Sequence, residues 1–106
     1  MSPRARALIM QVAREHGLTM ADLVGRSTLR AVAHARFQAM ASVRSLTTPS
    51  GETVYSFPAV GRMFGRDHTT AMSAIRRAKE LGLGLAVPFD DAVKASALEA
   101  LSTGFI

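Results

Sequence analysis

Cysteine is absent from this 106-residue chain, which excludes disulfides and thiolate metal ligands and suits a reducing compartment. Lysine is almost absent. Lys79 and Lys94 are the whole complement, and neither lies in a Gly-x-x-x-x-Gly-Lys-Ser/Thr loop, so a phosphate-cradling ATPase site is excluded. There is no His-Glu-x-x-His helix and no Gly-x-Ser-x-Gly elbow, and His16, His34 and His68 are too scattered to suggest a metal site. Gly82-x-Gly84 lacks a third glycine and a preceding strand, and reads as a hinge rather than a nucleotide loop. The apolar run from Leu83 to Phe89 is far too short to span a bilayer, and the N-terminus lacks the extended apolar region of a signal peptide. These absences argue against an enzyme, a cofactor, a metal site, a small-molecule substrate and a membrane partner, and they favour a cytoplasmic location.

What is present is cationic and unevenly placed. The formal net charge is +5; residues 1–80 hold twelve Lys and Arg against five acids, whereas residues 81–106 hold one Lys against three acids. Eleven of the thirteen cations are arginine, the better phosphate fork and minor-groove probe. A GC-rich coding bias would favour arginine as well, so the sign and placement of the charge carry the argument. The length fits one domain able to bury its own core.

Chemistry concentrates in Gly65-Arg66-Asp67-His68-Thr69-Thr70. Upstream, Ser56 can cap a helix that tolerates Pro58 in its first turn; Phe57, Val60 and Phe64 repeat at helical spacing, and Gly65 is a natural left-handed stop. Asp67 then caps a second helix whose buried stripe is Ala71, Ala74, Ala78 and Ile75. Helix, glycine turn and helix make a helix-turn-helix. At about 100° per residue the face opposite the stripe holds Thr69, Ser73 and Arg76, with Met72 and Arg77 on its flanks and His68 and Thr70 in the first turn. Such helices touch base edges with their N-terminal residues. Asp67, His68, Thr69, Thr70 and Ser73 are therefore the candidate base contacts, and Arg76 and Arg77 suit phosphate. The plainer reading is a capped amphipathic helix in which Asp67 is a cap and nothing more.

The remainder reads as scaffold. Ser2 and Pro3 open a helix with Ala5, Leu8, Ile9, Val12 and Ala13 on one stripe, closed by Gly17. Thr19 and Asp22 form a capping pair for a short helix holding Met20, Leu23 and Val24. Val32 to Leu46 is helical, apolar on more than one face, and should lie centrally. Residues 47–55, with Pro49-Ser50-Gly51 and then Thr53-Val54-Tyr55, suggest a small β-hairpin or an irregular wing, either a further backbone contact or a tolerated insertion. Beyond a flexible Gly82-Leu83-Gly84-Leu85, Asp90 could cap a helix with Val93, Ala97, Ala100 and Leu101 on one face: a docking helix, a linker or a partner-binding element.

Three stretches, Val12 to Leu23, Val32 to Arg36 leading to Met40, and Phe64 to Thr70, resemble the C-terminal DNA-binding domain of the bacterial chromosomal replication initiator DnaA, over roughly residues 6 to 81. The Arg-Asp-His-Thr-Thr core is that family's signature. The resemblance implies that Asp67, His68, Thr69 and Thr70 approach bases and nearby backbone, that Pro58 lies against DNA with Ser56 and Arg66 beside it, and that Arg36 and Arg44 lean on phosphates. The family's arginine-dense loop is thinner here, reading Arg26-Ser27-Thr28-Leu29-Arg30; the position expected to enter the minor groove aligns with Thr28, leaving Arg26 and Arg30 as minor-groove candidates. Phe37 replaces a typically polar residue, one glycine precedes Arg66 where two are usual, and residues 47–55 make a longer connection.

The expectation is an all-α helix-turn-helix domain over residues 1–81, followed by a hinge and a C-terminal helix over 82–106. Its partner is double-stranded DNA, read sequence-specifically by a nucleoid-associated bacterial, phage or phage-derived regulator of transcription. The alternatives are an accessory replication factor occupying initiator-type boxes and a protein-interaction module that has lost DNA binding. Contacts with transcription or replication machinery are assigned to the C-terminal region.

Overall fold

Local capping chemistry sets most helix boundaries in the computed structural model, which describes residues 2–86. Helix α1 (Pro3–Glu15) starts where the Ser2 hydroxyl accepts from the Ala5 amide and ends before Gly17, the left-handed residue of its closing turn at φ 68°. Helix α2 (Met20–Val24) carries a complete capping box between Thr19 and Asp22. Helices α3 (Arg30–Arg44), α4 (Phe57–Met63) and α5 (His68–Glu80) follow. The fold is all-α, as the sequence led us to expect, and no strand occurs among the described residues.

Helix α3 packs against each of the other four and is the central rod. The stripe of α1, Ala5, Leu8, Ile9, Val12 and Ala13, is buried in full, and it shares one core with Leu23 of α2, Ala35, Ala39, Met40 and Val43 of α3, Val60 and Phe64, and Ala71 and Ala74 of α5. The small alanines of α5 let that helix lie close on its neighbours, and this directs its opposite side outward.

Two boundaries differ from expectation. Helix α3 begins at Arg30, two residues before Val32, because Leu29 starts it without any side-chain cap; the Ser27 hydroxyl instead accepts from the Leu29 amide and turns the chain into the helix. The hairpin foreseen at 47–55 shrinks to one antiparallel bridge between Thr47 and Thr53. Around it the Thr48 amide donates to the Glu52 carbonyl at 2.8 Å and the Val54 amide to that of Leu46 at 3.2 Å, while the Thr48 hydroxyl contacts Ser50 and accepts from the Glu52 amide, so a few backbone bonds and local side-chain bonding stand where a full ladder was expected.

The stretch read as flexible after Gly82 is fastened along α3. Gln38 Nε2 donates to the Gly84 carbonyl at 2.8 Å, and the Ala86 amide donates to Ser42 Oγ at 2.9 Å. The helix expected after Asp90 lies outside the described residues.

Candidate nucleic-acid interface

The turn between α4 and α5 is built by close backbone approach. The Arg66 amide donates to the Gly61 carbonyl at 2.8 Å, and a Cβ on Gly61 would stand 2.5 Å from the Arg66 oxygen and 2.8 Å from that of Asp67. Only glycine lets the second helix leave at this distance. Gly65 supplies the turn's left-handed residue at φ 65°, and since no non-glycine residue described has positive φ, one glycine before Arg66 suffices.

Asp67 caps α5: its Oδ1 accepts from the Thr70 amide at 2.7 Å. That backbone hydrogen bond, with a smaller contribution from Thr70's side and from nearby His68, holds the carboxyl below its ordinary value of 3.8. Asp67 is thus an anion at neutral pH seated at the positive end of a helix. Asp67, His68, Thr69 and Thr70 are all exposed, and Ser73 is half-buried on the same outward side. Short hydroxyls, an imidazole and an acceptor project together from one helix end, which is the set able to hydrogen-bond base edges.

Cations flank this end. Arg76 is exposed about one turn beyond Ser73 and two beyond Thr69. Arg77, on the flank, is exposed and pairs with Glu80 at 3.1 Å, an ion pair of the weak surface kind. Arg44 is half-buried; it donates to the Tyr55 carbonyl at 3.1 Å and lies 4.3 Å over the Phe57 ring, which ties the end of α3 to the start of α4. Ser56 caps α4 through the Ala59 amide, and Ser56 and Pro58 are exposed there. Arg26 and Arg30 are exposed at the two ends of the loop between α2 and α3. Arg62, exposed in the last turn of α4, is a further cation on the motif that sequence reasoning did not single out; its signal was its place one turn before the glycine stop.

Arg36 requires a correction. Expected on phosphate, it is only 6% exposed and its guanidinium faces inward. Nε donates to the Leu23 carbonyl at 2.7 Å, Nη1 to Ser27 at 3.0 Å, and Nη2 to Asp22 at 3.3 Å and Gly25 at 3.1 Å. The Asp22, Leu23 and Gly25 carbonyls belong to the C-terminal end of α2, where helical partners run out, so Arg36 serves as the C-terminal cap of α2, and its bond to Ser27 extends that hold into the loop beyond. Four of a guanidinium's five N–H groups are thereby engaged, and the reach to a phosphate is lost. The motif pattern could not separate a phosphate oxygen from a peptide oxygen as the partner.

Arg66 is half-buried and also points at backbone: Nη1 donates to Phe64 at 2.5 Å and Nη2 to Gly25 at 2.7 Å. Burial lowers the pKa of Arg36 and of Arg66, and each is lowered further by a cationic neighbour, Arg66 for the first and Arg26 for the second. Three guanidiniums thus crowd beside the start of α5. Among the described residues no group of three or more His, Cys, Asp or Glu is placed to hold a metal, and no helix is long and apolar enough to cross a membrane.

A capped helix end exposed after a glycine turn, set on a packed helical scaffold and flanked by arginines, defines a helix-turn-helix module of the DNA-binding class. The model of the family described as the bacterial dnaA protein helix-turn-helix matches residues 5–78, and the chain belongs to that family. Similar proteins include the chromosomal replication initiator protein DnaA of Caulobacter vibrioides, 43% identical over 70 residues (65% of this chain, 13% of the relative). Those of Ruegeria sp. and Cereibacter sphaeroides are 39% and 38% identical over 72 residues, each covering 67% of this chain and 14% of the relative. The chain therefore spans about one seventh of the length of these curated relatives. No solved structure matches.

Proposed function

We propose that this protein binds double-stranded DNA sequence-specifically, inserting the N-terminal turn of α5 into the major groove. The observation that carries the reading is the outward presentation of Asp67, His68, Thr69 and Thr70 at one capped helix end, inside the region matched by the dnaA helix-turn-helix family. In this reading Thr69, His68 and Asp67 reach base edges, Thr70 and Ser73 contact bases or adjoining sugar-phosphate, and Arg76, Arg77, Arg44, Ser56 and Pro58 meet the backbone. Arg26 or Arg30 enters the neighbouring minor groove, where a narrow groove favours guanidinium.

These 106 residues carry the reading module and no phosphate loop of the Walker kind, so their own contribution is to occupy a site. We favour regulation of transcription by promoter occupancy. A second reading, occupancy of initiator-type boxes in replication, is supported by the relatives, which are replication initiators by name. Selection of bound duplexes from a random pool tests both. An enriched asymmetric box is expected; its clustering at promoters supports the first reading and clustering at a replication origin the second. A pool that emerges unenriched overturns DNA reading and favours an interaction module.

A further inference from the structure

The carbonyl of Gly25 sits where two separate parts of the site meet. It closes α2 and immediately precedes Arg26, the first residue of the cationic loop. It accepts from Arg36 Nη2 at 3.1 Å and from Arg66 Nη2 at 2.7 Å. Arg36 comes from the central helix and also holds the carbonyls of Asp22, Leu23 and Ser27, so it fixes the loop's path. Arg66 comes from the turn directly before the Asp67 cap, and its second nitrogen is anchored on Phe64. Gly25 itself admits no substitute at this spacing, since a Cβ would lie 2.8 Å from the Ala21 oxygen.

We propose that Arg66, acting with Arg36, clasps the Gly25 carbonyl and so couples the Arg26 loop to the N-terminus of α5, making Arg66 a positioning residue that sets the loop's readout in register with the helix's readout. The inference rests on the DNA-reading function proposed above. A guanidinium is suited to the task because it reaches two acceptors, Phe64 and Gly25, from one rigid plane, which an ammonium cannot reproduce. The arrangement places cations beside one another with the Asp22 carboxylate turned away into its own capping box, so the clasp is held by carbonyl oxygens rather than by counter-charge. That leaves the local positive field available to an incoming polyanion.

The test compares the intact 106-residue chain with R66K and R66A. Without DNA, amide hydrogen exchange across residues 25–29 should quicken about tenfold or more in both variants while the amides of α1 and α5 keep their protection. In duplex selection, R66K should lose preference at base pairs flanking the box, read by the loop, and keep it at pairs read by the first turn of α5. Unchanged loop exchange in both variants overturns the clasp. A loosened loop with an unchanged box overturns the coupling, as does a motif retained in full with a salt slope flattened by about one unit, the mark of a phosphate contact alone. Exchange that rises in every helix shows a general stabilising role and also contradicts the proposal. If the wild-type chain selects no box, the DNA-reading function fails on its own, and the exchange measurement still decides whether the clasp exists.

Discussion

Thr69 is exposed in the first turn of α5 and carries both a hydroxyl and a methyl. Replacing it with Ala removes one hydrogen-bonding group and should reduce affinity for the selected box by about 1–3 kcal/mol while blurring preference at one or two base pairs; competition titration against single-base variants of the box checks this. Asp67 acts differently, because its carboxylate belongs to the helix as well as to the surface. Its pKa is lower in the folded chain than the ordinary 3.8, so its contribution to stability is complete above the ordinary carboxylate range and is lost as pH falls through the lowered value. A carbonyl-carbon NMR titration should show Asp67 protonating below its ordinary value of 3.8, and Asp67→Asn, which retains the capping oxygen, should remove that pH dependence of α5. Arg36→Ala should act through the fold. It strands carbonyls that Arg36 now satisfies, and the expected loss is about 2–3 kcal/mol of unfolding free energy, read by denaturant titration, with the folded fraction keeping the preferences read by the first turn of α5 and losing those read by the loop.

At the scale of elements, the site depends on how closely α4 lets α5 leave the turn. Gly61→Ala would drive a methyl into the carbonyls of Arg66 and Asp67 and should destabilise the domain by about 1–3 kcal/mol, with lowered DNA affinity even at temperatures where the variant is folded. Thermal unfolding beside binding at low temperature separates the two effects. Sequence was a good guide wherever a boundary is fixed by residues next to it. Ser2, Thr19, Ser56 and Asp67 each cap the helix that follows, and of the stripe expected on α5 Ala71, Ala74 and Ala78 are buried while Ile75 is half-buried at its edge. It was a poor guide where distant residues decide. The start of α3 lacks a side-chain cap, the 47–55 connection is closed by one bridge, a few backbone bonds reaching back to Leu46 and its own hydroxyls, and Gly82 to Ala86 is held by Gln38 and Ser42 from another helix. Gly61 was passed over because a glycine within a helix carries no sign of the chain that will pack on it. Arg36 was misplaced for a related reason: an arginine on a central helix looks alike in sequence whether it meets solvent or the carbonyl end of a neighbouring helix.

Across the whole molecule, α3 packs against α1, α2 and both motif helices, so the arginine-bearing loop and the proposed base-reading end of α5 are mounted on a single packed core. Formal charge follows that layout, with twelve of the thirteen Lys and Arg within residues 1–80. Non-specific attraction to any duplex is then expected from the cations and discrimination from the few side chains at the end of α5, two contributions that salt separates. The most direct measurement is a titration of the intact chain against its selected box and a scrambled duplex at several salt concentrations. We expect affinity for both to fall steeply with salt while the box stays preferred by at least about a thousandfold, a preference that Thr69→Ala sharply reduces. Equal affinity for both duplexes at every salt concentration would contradict the account.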